Sequence, residues 1–326
     1  MIIGDRISTF TDDEFRFLAQ MGIHHVNFAG KEHLMSEPGE RGALKSDEVR
    51  RLQAELEPYD IRLYCFLLPQ HPETQYWHAR IGDPSLRDKA IADVCETVRV
   101  CGGLGIPIVE WTWYITRVCG RAYPRWETGR GGALVSFFDY NLVRDLRPEG
   151  TIELTADRMW ENIIYFMERV MPVAEQAGVR MAVHPNDPPS PELGGEERVL
   201  STFDDMKRLV REVNSPANGF NICQGTVASM ADVDVLEVIR HFGERDRINH
   251  CHFRNVNGSV PRFKESFIDD GDVDMYEAMQ VYKQVGYRHI MMADHVPKMD
   301  GDPTSLASRC YAIGYIRALM HAVGEL

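Results

Sequence analysis

The sequence predicts one closed barrel of eight parallel strands, each followed by a helix, because three observations agree. Short apolar runs alternate with amphipathic helical patterns along the whole chain of 326 residues, and this alternation is typical of parallel strands joined by helices. Eight such pairs can be counted, the number that closes a (β/α)8, or TIM, barrel. No change in composition divides the pairs, so we expect a single domain over residues 1–326.

The first elements are predicted from period-two apolar runs and from residues that start helices. Thr11 and Glu14 have the spacing of a capping box at the first helix. Ser46 is predicted to cap the second helix, and Pro84 to lie in the first turn of the third, where proline is tolerated. The predicted elements are strand 1–4, helix 11–21, strand 24–28, helix 46–56, strand 61–67, helix 83–101 and strand 106–111.

A long excursion, residues 111–153, follows the fourth strand and is predicted to lie as a loop over the barrel mouth. Connections of this length inside a compact domain usually carry function. Its arginines alternate with aromatic residues, and the planar guanidinium suits recognition of a carboxylate. We therefore expect at least one of them to meet a substrate carboxylate, with a surface decoration as the alternative. These arginines are Arg117, Arg121, Arg125 and Arg130.

The alternation then resumes and continues to the end of the chain. Helix 155–178 completes the fourth pair, and Ser201 or Thr202 is predicted to cap the next helix. The later elements are strand 179–184 and helix 203–214, strand 218–223 and helix 232–242, strand 248–253 and helix 272–285, and strand 289–294 and helix 304–323. A doubly wound open sheet is the competing architecture, but the glycine-rich phosphate turn that it uses after its first strand is missing.

Composition excludes several classes of protein. The net charge of −13 argues against a nucleic-acid surface. No apolar run approaches membrane-spanning length, and the N-terminus lacks a signal-peptide pattern. Seven cysteines without regular spacing do not make a disulfide framework. We expect a cytoplasmic protein with a small-molecule substrate, no nucleic-acid or membrane partner, and a homo-oligomeric assembly.

Metal-ligating side chains stand at the ends of four predicted strands. Strand 179–184 stops at a histidine because three of the next five residues are prolines, which lack the backbone donor. The carboxyl ends of barrel strands carry the chemistry in this architecture, and imidazole, thiolate and carboxylate all bind first-row divalent metals. Burial would explain any one residue alone, whereas four equivalent positions favour a metal site. The predicted ligands are His184, Cys223, His252 and Asp294.

His250 competes with His252 for the ligand position on the seventh strand. Two residues apart on a strand, they share one face and differ only in depth. His252 is preferred because it lies nearer the loop.

Six motifs occur in order through the second half of the chain, each weak alone and specific as a set. They are His184-Pro-Asn-Asp-Pro-Pro189, Asn218-Gly-Phe-Asn-Ile-Cys-Gln-Gly225, His252-Phe-Arg-Asn-Val256, Phe263-Lys-Glu265, Gly271-Asp-Val-Asp-Met275 and Ala293-Asp-His295. Together they resemble the mannonate dehydratase family. The resemblance implies a xylose-isomerase-like barrel, a divalent metal that is typically manganese, and removal of water from D-mannonate to give 2-keto-3-deoxy-D-gluconate. Its metal ligands fall on the same four positions.

The expected reaction needs a Lewis acid, a base for the C2 proton and an acid for the departing C3 hydroxyl. His295, beside a predicted ligand, is the first candidate for proton transfer, with Tyr311 assisting. Arg254 is a candidate clamp for the substrate carboxylate. A salt bridge at the barrel rim, to Glu265 or Asp272, is the alternative for this arginine.

Asn186 and Lys264 are predicted to bind substrate because they occupy family positions that hold other residues. Cys310 stands where the family has a tyrosine that takes part in proton transfer, and the nearest tyrosine is one residue later. Within a helix one residue turns a side chain by about 100°, so the shift is not conservative. Further departures are Ile268 for a family histidine, Val296-Pro297 after the last motif, and Glu110-Trp-Thr-Trp113 at the end of strand four.

The altered residues face the substrate, whereas the metal positions are kept. This pattern favours a related sugar acid over D-mannonate as the substrate. A sugar isomerase or epimerase on the same barrel is the alternative, and a non-catalytic sugar-acid-binding protein is a further one. Thiolate prefers softer ions than manganese, so zinc and iron are alternative metals.

Overall fold

The computed structural model describes residues 1–71, 73–115, 126–147 and 149–326, and its centre is a closed parallel barrel. The first strand has two pieces, of which one pairs with the last strand and the other with the second. The sheet therefore closes around Gly4, where a Cβ atom would lie 2.2 Å from the Ile290 side chain. The barrel strands, numbered one to eight below, are Ile2–Ile3 with Asp5–Ile7, His25–Ala29, Arg62–Leu67, Ile108–Thr112, Arg180–His184, Asn218–Cys223, Ile248–His252 and Ile290–Met292.

A helix follows each barrel strand and packs its apolar face on the outside of the barrel. This arrangement confirms the predicted (β/α)8 fold. The helices are Asp12–Gln20, Ser46–Leu56, Arg87–Gly103, Ala156–Ala177, Phe203–Glu212, Val235–Gly243, Met275–Gln284 and Leu306–Ala322. No helix in the described ranges is long and apolar enough to span a bilayer.

Two of the predicted helix starts are confirmed. The Thr11 side chain accepts a hydrogen bond from the backbone N–H of Glu14 at 3.4 Å, satisfying a donor that the helix cannot. The predicted capping box is only half formed, because the Glu14 carboxylate accepts from the backbone N–H groups of residues 8–10 instead of that of Thr11. Thr202 and Asp205 form a full capping box at the fifth helix.

Two other predicted helix starts are wrong. Lys45, not Ser46, is the N-terminal cap of the second helix, and no side-chain cap bond forms there. The third helix begins at Arg87, so Pro84 lies before it. The carboxylate of Asp83 accepts hydrogen bonds from the backbone N–H and the hydroxyl of Ser85, which favours a turn over an earlier helix.

The predicted loop over the barrel mouth contains a β-hairpin. Strands Trp126–Thr128 and Leu134–Asp139 pair with each other, and the second of them also pairs with Arg262–Glu265. Strand Val256–Ser259 completes a four-stranded antiparallel sheet, called the cover sheet below. Residues 116–125, which include three of the four arginines predicted to reach the substrate, lie outside the described residues.

The remaining described elements are short connections around the barrel. The strands are Met35–Glu37, Arg41–Leu44, Glu192–Leu193 and Glu196–Glu197. The α-helices are Trp77–Ile81, Tyr140–Val143 and Gln224–Ala228, and the 3-10 turns are Glu32–Leu34, Glu57–Tyr59 and Arg130–Gly132.

The barrel interior holds a layer of buried polar side chains. Alternate residues of a strand point inward, and here five strands contribute such residues from their middle or upper parts. They are Asn27, Cys65, Glu110, Asn221 and His250, and none exceeds 5% exposure. This layer lies beneath the strand ends at which the predicted metal ligands stand.

Candidate metal centre and substrate cavity

The four predicted metal ligands come together at the carboxyl ends of strands five to eight. Three of them are the last residues of their strands, and the fourth follows strand eight by two residues. Cys223 and His252 are direct register partners on neighbouring strands, so their side chains stand side by side. One ligand atom from each residue lies within 4.8 Å of all the others. The residues of this metal centre are His184, Cys223, His252 and Asp294.

The two histidines of the metal centre fit a bound cation. Nδ1 of His184 lies 2.5 Å from the Pro185 carbonyl oxygen and can donate to it, which leaves Nε2 free to bind a metal. Nδ1 of His252 is buried without a hydrogen-bond partner and lies 3.6 Å from a carboxylate oxygen of Asp294. Since buried polar atoms are normally satisfied, this nitrogen fits a position that faces an ion.

Both anionic residues of the metal centre are held in their charged forms. Burial raises the pKa of the Cys223 thiol, but Arg254 and His184 more than offset this, and the pKa lies well below its usual value. Burial also opposes ionisation of Asp294, and the positive charges of His295, His252 and two arginines hold its pKa well below the usual range. Thiolate and carboxylate are the forms that bind metals.

The neighbouring anions also keep His184 protonated. Burial alone would lower its pKa, but Cys223, followed by Glu110 and Asp294, raises it to about 10. A buried site with this excess of negative charge suits a divalent cation, which would replace the proton.

A cavity of about 680 Å³ opens above the metal centre. Its lining includes the two metal-centre histidines and Asp294, together with His295, Glu265 and Asp187. Trp126, Val135 and Ser136 of the cover sheet also line it, so part of the excursion does reach the barrel mouth. The size suits a small organic acid.

His295 faces this cavity between two carboxylates. Its Nδ1 lies 3.0 Å from Oε1 of Glu265, and its Nε2 lies 3.1 Å from Oδ2 of Asp294. Its side chain is 38% exposed, so it can meet a substrate while these contacts fix the ring. The structure therefore places the predicted proton-transfer residue beside the metal centre.

Arg254 lies behind the cavity wall and not in its lining. The guanidinium is 2% exposed and donates to Glu265 at 2.7 Å and to Asp187 at 2.6 Å. Close packing requires glycine at position 225, because a Cβ there would lie 2.4 Å from Nη1 of the arginine. Of its two predicted roles, the geometry forms the salt bridge to Glu265, with Asp187 in place of Asp272.

The other two residues predicted to bind substrate also lie outside the described lining of the cavity. The Asn186 amide donates to the backbone carbonyl of Val199 and is buried. Lys264 approaches Glu127 within the cover sheet, at 4.0 Å. Successive residues of a strand point to opposite faces, so Lys264 points away from the side on which its neighbour Glu265 contacts His295.

Tyr311 lies on the outer side of the last helix. It is 43% exposed, packs edge-on against Phe267 with ring centroids 6.1 Å apart, and interacts with Arg130 and Asp269. Arg130 itself donates to Asp269 at 2.8 Å. Cys310 contacts the sulfur of Met21 at 3.6 Å. None of these residues is in the described lining of the cavity. For Tyr311 and Cys310 the reason is that the last helix begins at Leu306, so its regular turn fixes their directions.

Sequence reasoning missed several cavity residues from strands one to four. Glu110 at strand four is 1% exposed and accepts hydrogen bonds from Asn27 at 2.7 Å and Asn221 at 2.8 Å. Burial raises the pKa of Glu110, but His252 and His250 lower this pKa by more than burial raises it, so the carboxylate stays ionised. A carboxylate within an otherwise apolar strand was the available signal.

Two cations also reach the cavity from this side. Arg6, after the first half of strand one, pairs with Asp294. Lys31 lines the cavity just beyond strand two, and its ammonium has no hydrogen-bond or ion-pair partner within the described chain. The signal for Arg6 was the Asp5-Arg6 pair in a short strand, whereas nothing in the sequence singled out Lys31.

Comparisons with known proteins identify the family. A sequence model of the D-mannonate dehydratase (UxuA) family matches residues 149–326. A mannonate dehydratase from Streptococcus agalactiae serotype V is 35% identical over 316 residues, which cover 85% of this chain and 86% of that protein. A mannonate dehydratase from Thermotoga petrophila is 28% identical over 287 residues, covering 76% of this chain and 78% of the relative.

Solved structures agree on the fold. The crystal structure of mannonate dehydratase from Streptococcus suis serotype 2 superposes with a TM-score of 0.88 at 24% identity, covering 100% of this chain and 95% of that one. D-Psicose 3-epimerase from Clostridium cellulolyticum H10 superposes with a TM-score of 0.64 at 13% identity, covering 99% and 96%. The expected xylose-isomerase-like barrel is confirmed, and the family match favours the dehydratase over the isomerase alternative. The chain belongs to the mannonate dehydratase family of hydro-lyases.

Proposed function

We propose that this chain removes water from a sugar acid with the help of one divalent metal bound at the metal centre. The convergence of two histidines, a thiolate and a carboxylate from four consecutive strands is the observation that carries the proposal. A bound divalent ion would supply a Lewis acid that stabilises negative charge developing on the substrate carboxylate.

His295 moves the C2 proton in this proposal. It is the described imidazole that faces the cavity without belonging to the metal centre. Its contact with Glu265 fixes the ring orientation, and the Asp294 contact sets its other nitrogen at the edge of the metal centre. The assisting role of Tyr311 stays a prediction, and its hydroxyl would have to leave Arg130 and Asp269 to reach the cavity.

Arg254 acts through Glu265 and not on the substrate. Its two ion pairs are almost fully buried, and a buried guanidinium with two carboxylate partners has little capacity left for a third. It holds Glu265 in the position from which this carboxylate orients His295. Arg254 is thus a positioning residue.

Lys31 is our candidate for binding the substrate carboxylate or another polar end of the substrate. An ammonium in the cavity lining that has no partner among the described residues can take an anionic group without first breaking an ion pair with them. Arg6 is less available because Asp294 already occupies its guanidinium. Asn186 and Lys264 remain predicted substrate-binding residues, and both would need to reorient to serve.

A related sugar acid is the proposed substrate, with weak or no activity on D-mannonate. Cys310 contacts Met21 and supplies no phenol, and Tyr311 projects to a different side of the helix. The relatives named above are mannonate dehydratases, but the substrate side of this cavity is built from Lys31, Glu110 and their neighbours.

The resemblance implies manganese, whereas the thiolate ligand favours zinc or iron. We propose a cytoplasmic location because the six described cysteines are free thiols and a metal-binding thiolate persists in a reducing compartment. A homo-oligomer stays our prediction for the assembly, to be measured by light scattering.

The test combines metal analysis with a substrate screen. Purified protein is reconstituted separately with manganese, zinc and iron, its metal content is measured, and each form is offered a panel of hexonates and uronates. Formation of a 2-keto acid whose mass is lower by one water supports the proposal. A product of unchanged mass would indicate an isomerase, and D-mannonate as the best of all acids would contradict the substrate assignment alone.

A further inference from the structure

A second group of metal-ligating side chains lies in the polar layer beneath the metal centre. It consists of Cys65 on strand three, Glu110 on strand four and His250 on strand seven, and is called the lower cluster below. One ligand atom from each of the three lies within 4.8 Å of the others. All three side chains are essentially inaccessible to solvent. The lower cluster shares no residue with the metal centre.

The separations within the lower cluster approach those of a metal site. Nδ1 of His250 lies 3.3 Å from Oε2 of Glu110 and 3.9 Å from Sγ of Cys65. In a tetrahedral zinc site, bonds of about 2.0–2.3 Å place the ligand atoms about 3.3–3.6 Å apart. His250 and Glu110 already have this separation, His250 and Cys65 exceed it by a few tenths of an ångström, and the three ligand atoms lie within 4.8 Å of one another.

Asn27 can complete the set. Its amide nitrogen lies 2.7 Å from Oε2 of Glu110 and 3.4 Å from Sγ of Cys65, so the side chain already adjoins two of the three ligands. Rotation of the terminal amide exchanges its nitrogen and oxygen positions. The amide would then present an oxygen ligand in place of a donor.

The cavity gives an ion access to the lower cluster. Asn27 and Glu110 both line the cavity, whereas Cys65 and His250 lie deeper in the barrel. An ion that enters past the metal centre would therefore meet an amide and a carboxylate first, and a thiol and an imidazole behind them. We propose that Cys65, Glu110 and His250 bind a second divalent ion of zinc-like preference beneath the metal centre.

A purely structural role explains only part of this arrangement. Glu110 also lies 3.8 Å from Nε2 of His252 and accepts a hydrogen bond from Asn221, whose amide contacts the same nitrogen, so it contributes to the surroundings of a metal-centre residue. That role does not require Cys65, whose position an apolar residue of similar size would fill. Asn27, Asn221 and the neighbouring histidines already compensate the buried Glu110 carboxylate, so the Cys65 thiol is the part of the lower cluster that a structural role leaves unexplained. A divalent ion would balance the carboxylate and a Cys65 thiolate, with the thiol proton released to solvent.

The first measurement counts bound metal in whole protein dialysed against excess zinc. Two ions per chain are expected in the wild type and one after Cys65→Ser. Cys251→Ser is the matched control, because Cys251 is buried on the same strand as His250 but contacts Tyr282 at 3.2 Å instead. It should keep both ions. One ion per chain in the wild type would overturn the proposal.

The second measurement separates the two sites without altering the lower cluster. Cobalt bound by a thiolate absorbs in the near ultraviolet, and Cys223→Ser removes the thiolate of the metal centre. The cobalt form of this variant should retain the absorption, and the Cys65→Ser, Cys223→Ser double variant should lose it. Loss already in Cys223→Ser would overturn the proposal even if Cys65 variants fail to fold. The cobalt absorption does not depend on catalysis. A failure of the dehydratase proposal would therefore leave this result unchanged.

Discussion

The two halves of the barrel mouth are built from different kinds of side chain. Strands five to eight end in the residues of the metal centre, whose ligand atoms lie within 4.8 Å of one another. Strands one to four instead place cations and amides beside Glu110 in the cavity lining. In our proposal one ion would fix the first half, because its ligands must converge on a single point. The second half has no such constraint, so this is where relatives with one chemistry can differ in substrate.

Loss of a metal-centre residue should have the largest effect. Cys223→Ser and His252→Ala should each lose metal from the centre, and activity should fall by about a thousandfold or more, since the ion contributes several kcal/mol to the transition state. Metal content and turnover are measured together, with Cys251→Ser as the control. If both variants keep a full complement of metal at the metal centre, Cys223 and His252 are not its ligands, and the metal does not belong to this half of the barrel mouth.

Removal of the proton-transfer residue should leave the metal half intact. His295→Gln should lower kcat by about a hundredfold to ten-thousandfold, the usual range for a general acid or base. Its metal content should not change, because His295 adjoins Asp294 without belonging to the centre. An enzyme with unaltered kcat would move proton transfer to another residue.

Glu265→Gln should have an intermediate effect, since Glu265 acts through His295. We expect kcat to fall by about tenfold to a hundredfold, as for other residues that orient a functional histidine. Glu127→Gln is the matched control, because Glu127 lies in the same cover sheet and pairs with Arg262 instead. Equal losses in both variants would indicate damage to the sheet and not to His295.

Lys31→Met tests the other half of the mouth. A hydrogen bond to a charged group contributes about 1.5–3 kcal/mol, so KM should rise by at least about tenfold. kcat should change much less, because Lys31 does not contact the metal centre in the described structure. Lys207→Met, at an exposed ion pair with Asp204, is the control. An unchanged KM would remove Lys31 from substrate binding.

Tyr311, on the outer side of the last helix, and Arg130, which interacts with it, should matter least. Tyr311→Phe and Arg130→Met should change kcat by no more than about fivefold, since exposed pairs contribute about 1 kcal/mol or less. Steady-state kinetics on the preferred acid measures both. A loss above a hundredfold for Tyr311→Phe would restore the catalytic role predicted from the sequence.

The metal half of the site could be predicted because the sequence itself marks where strands end. Strand six has its predicted bounds, Asn218–Cys223, and the prolines after His184 mark where strand five must stop. The choice between His250 and His252 followed from depth along one strand. The structure places His252 in the metal centre and His250 one layer deeper, in the lower cluster.

The substrate half could not be predicted because its contacts join distant segments. The cover sheet pairs Leu134–Asp139 with Arg262–Glu265, and pairing between strands so far apart leaves no local pattern. The direction of Lys264 depended on which face of that strand met the barrel. Lys31 and Arg6 reach the cavity because strand one pairs with strand eight on one side and with strand two on the other.

The strand that ends in Glu265 belongs to the cover sheet and, in our proposal, also orients the proton-transfer residue. Its backbone bonds hold Leu134–Asp139, while its last carboxylate holds His295. Segments that share such bonds open as one cooperative unit, so their amides exchange with solvent at a common rate. Opening of the cover sheet would therefore also move the Glu265 carboxylate away from His295. In the proposed mechanism, opening of the cover sheet would stop proton transfer at the same time as bulk water gains access to the metal centre.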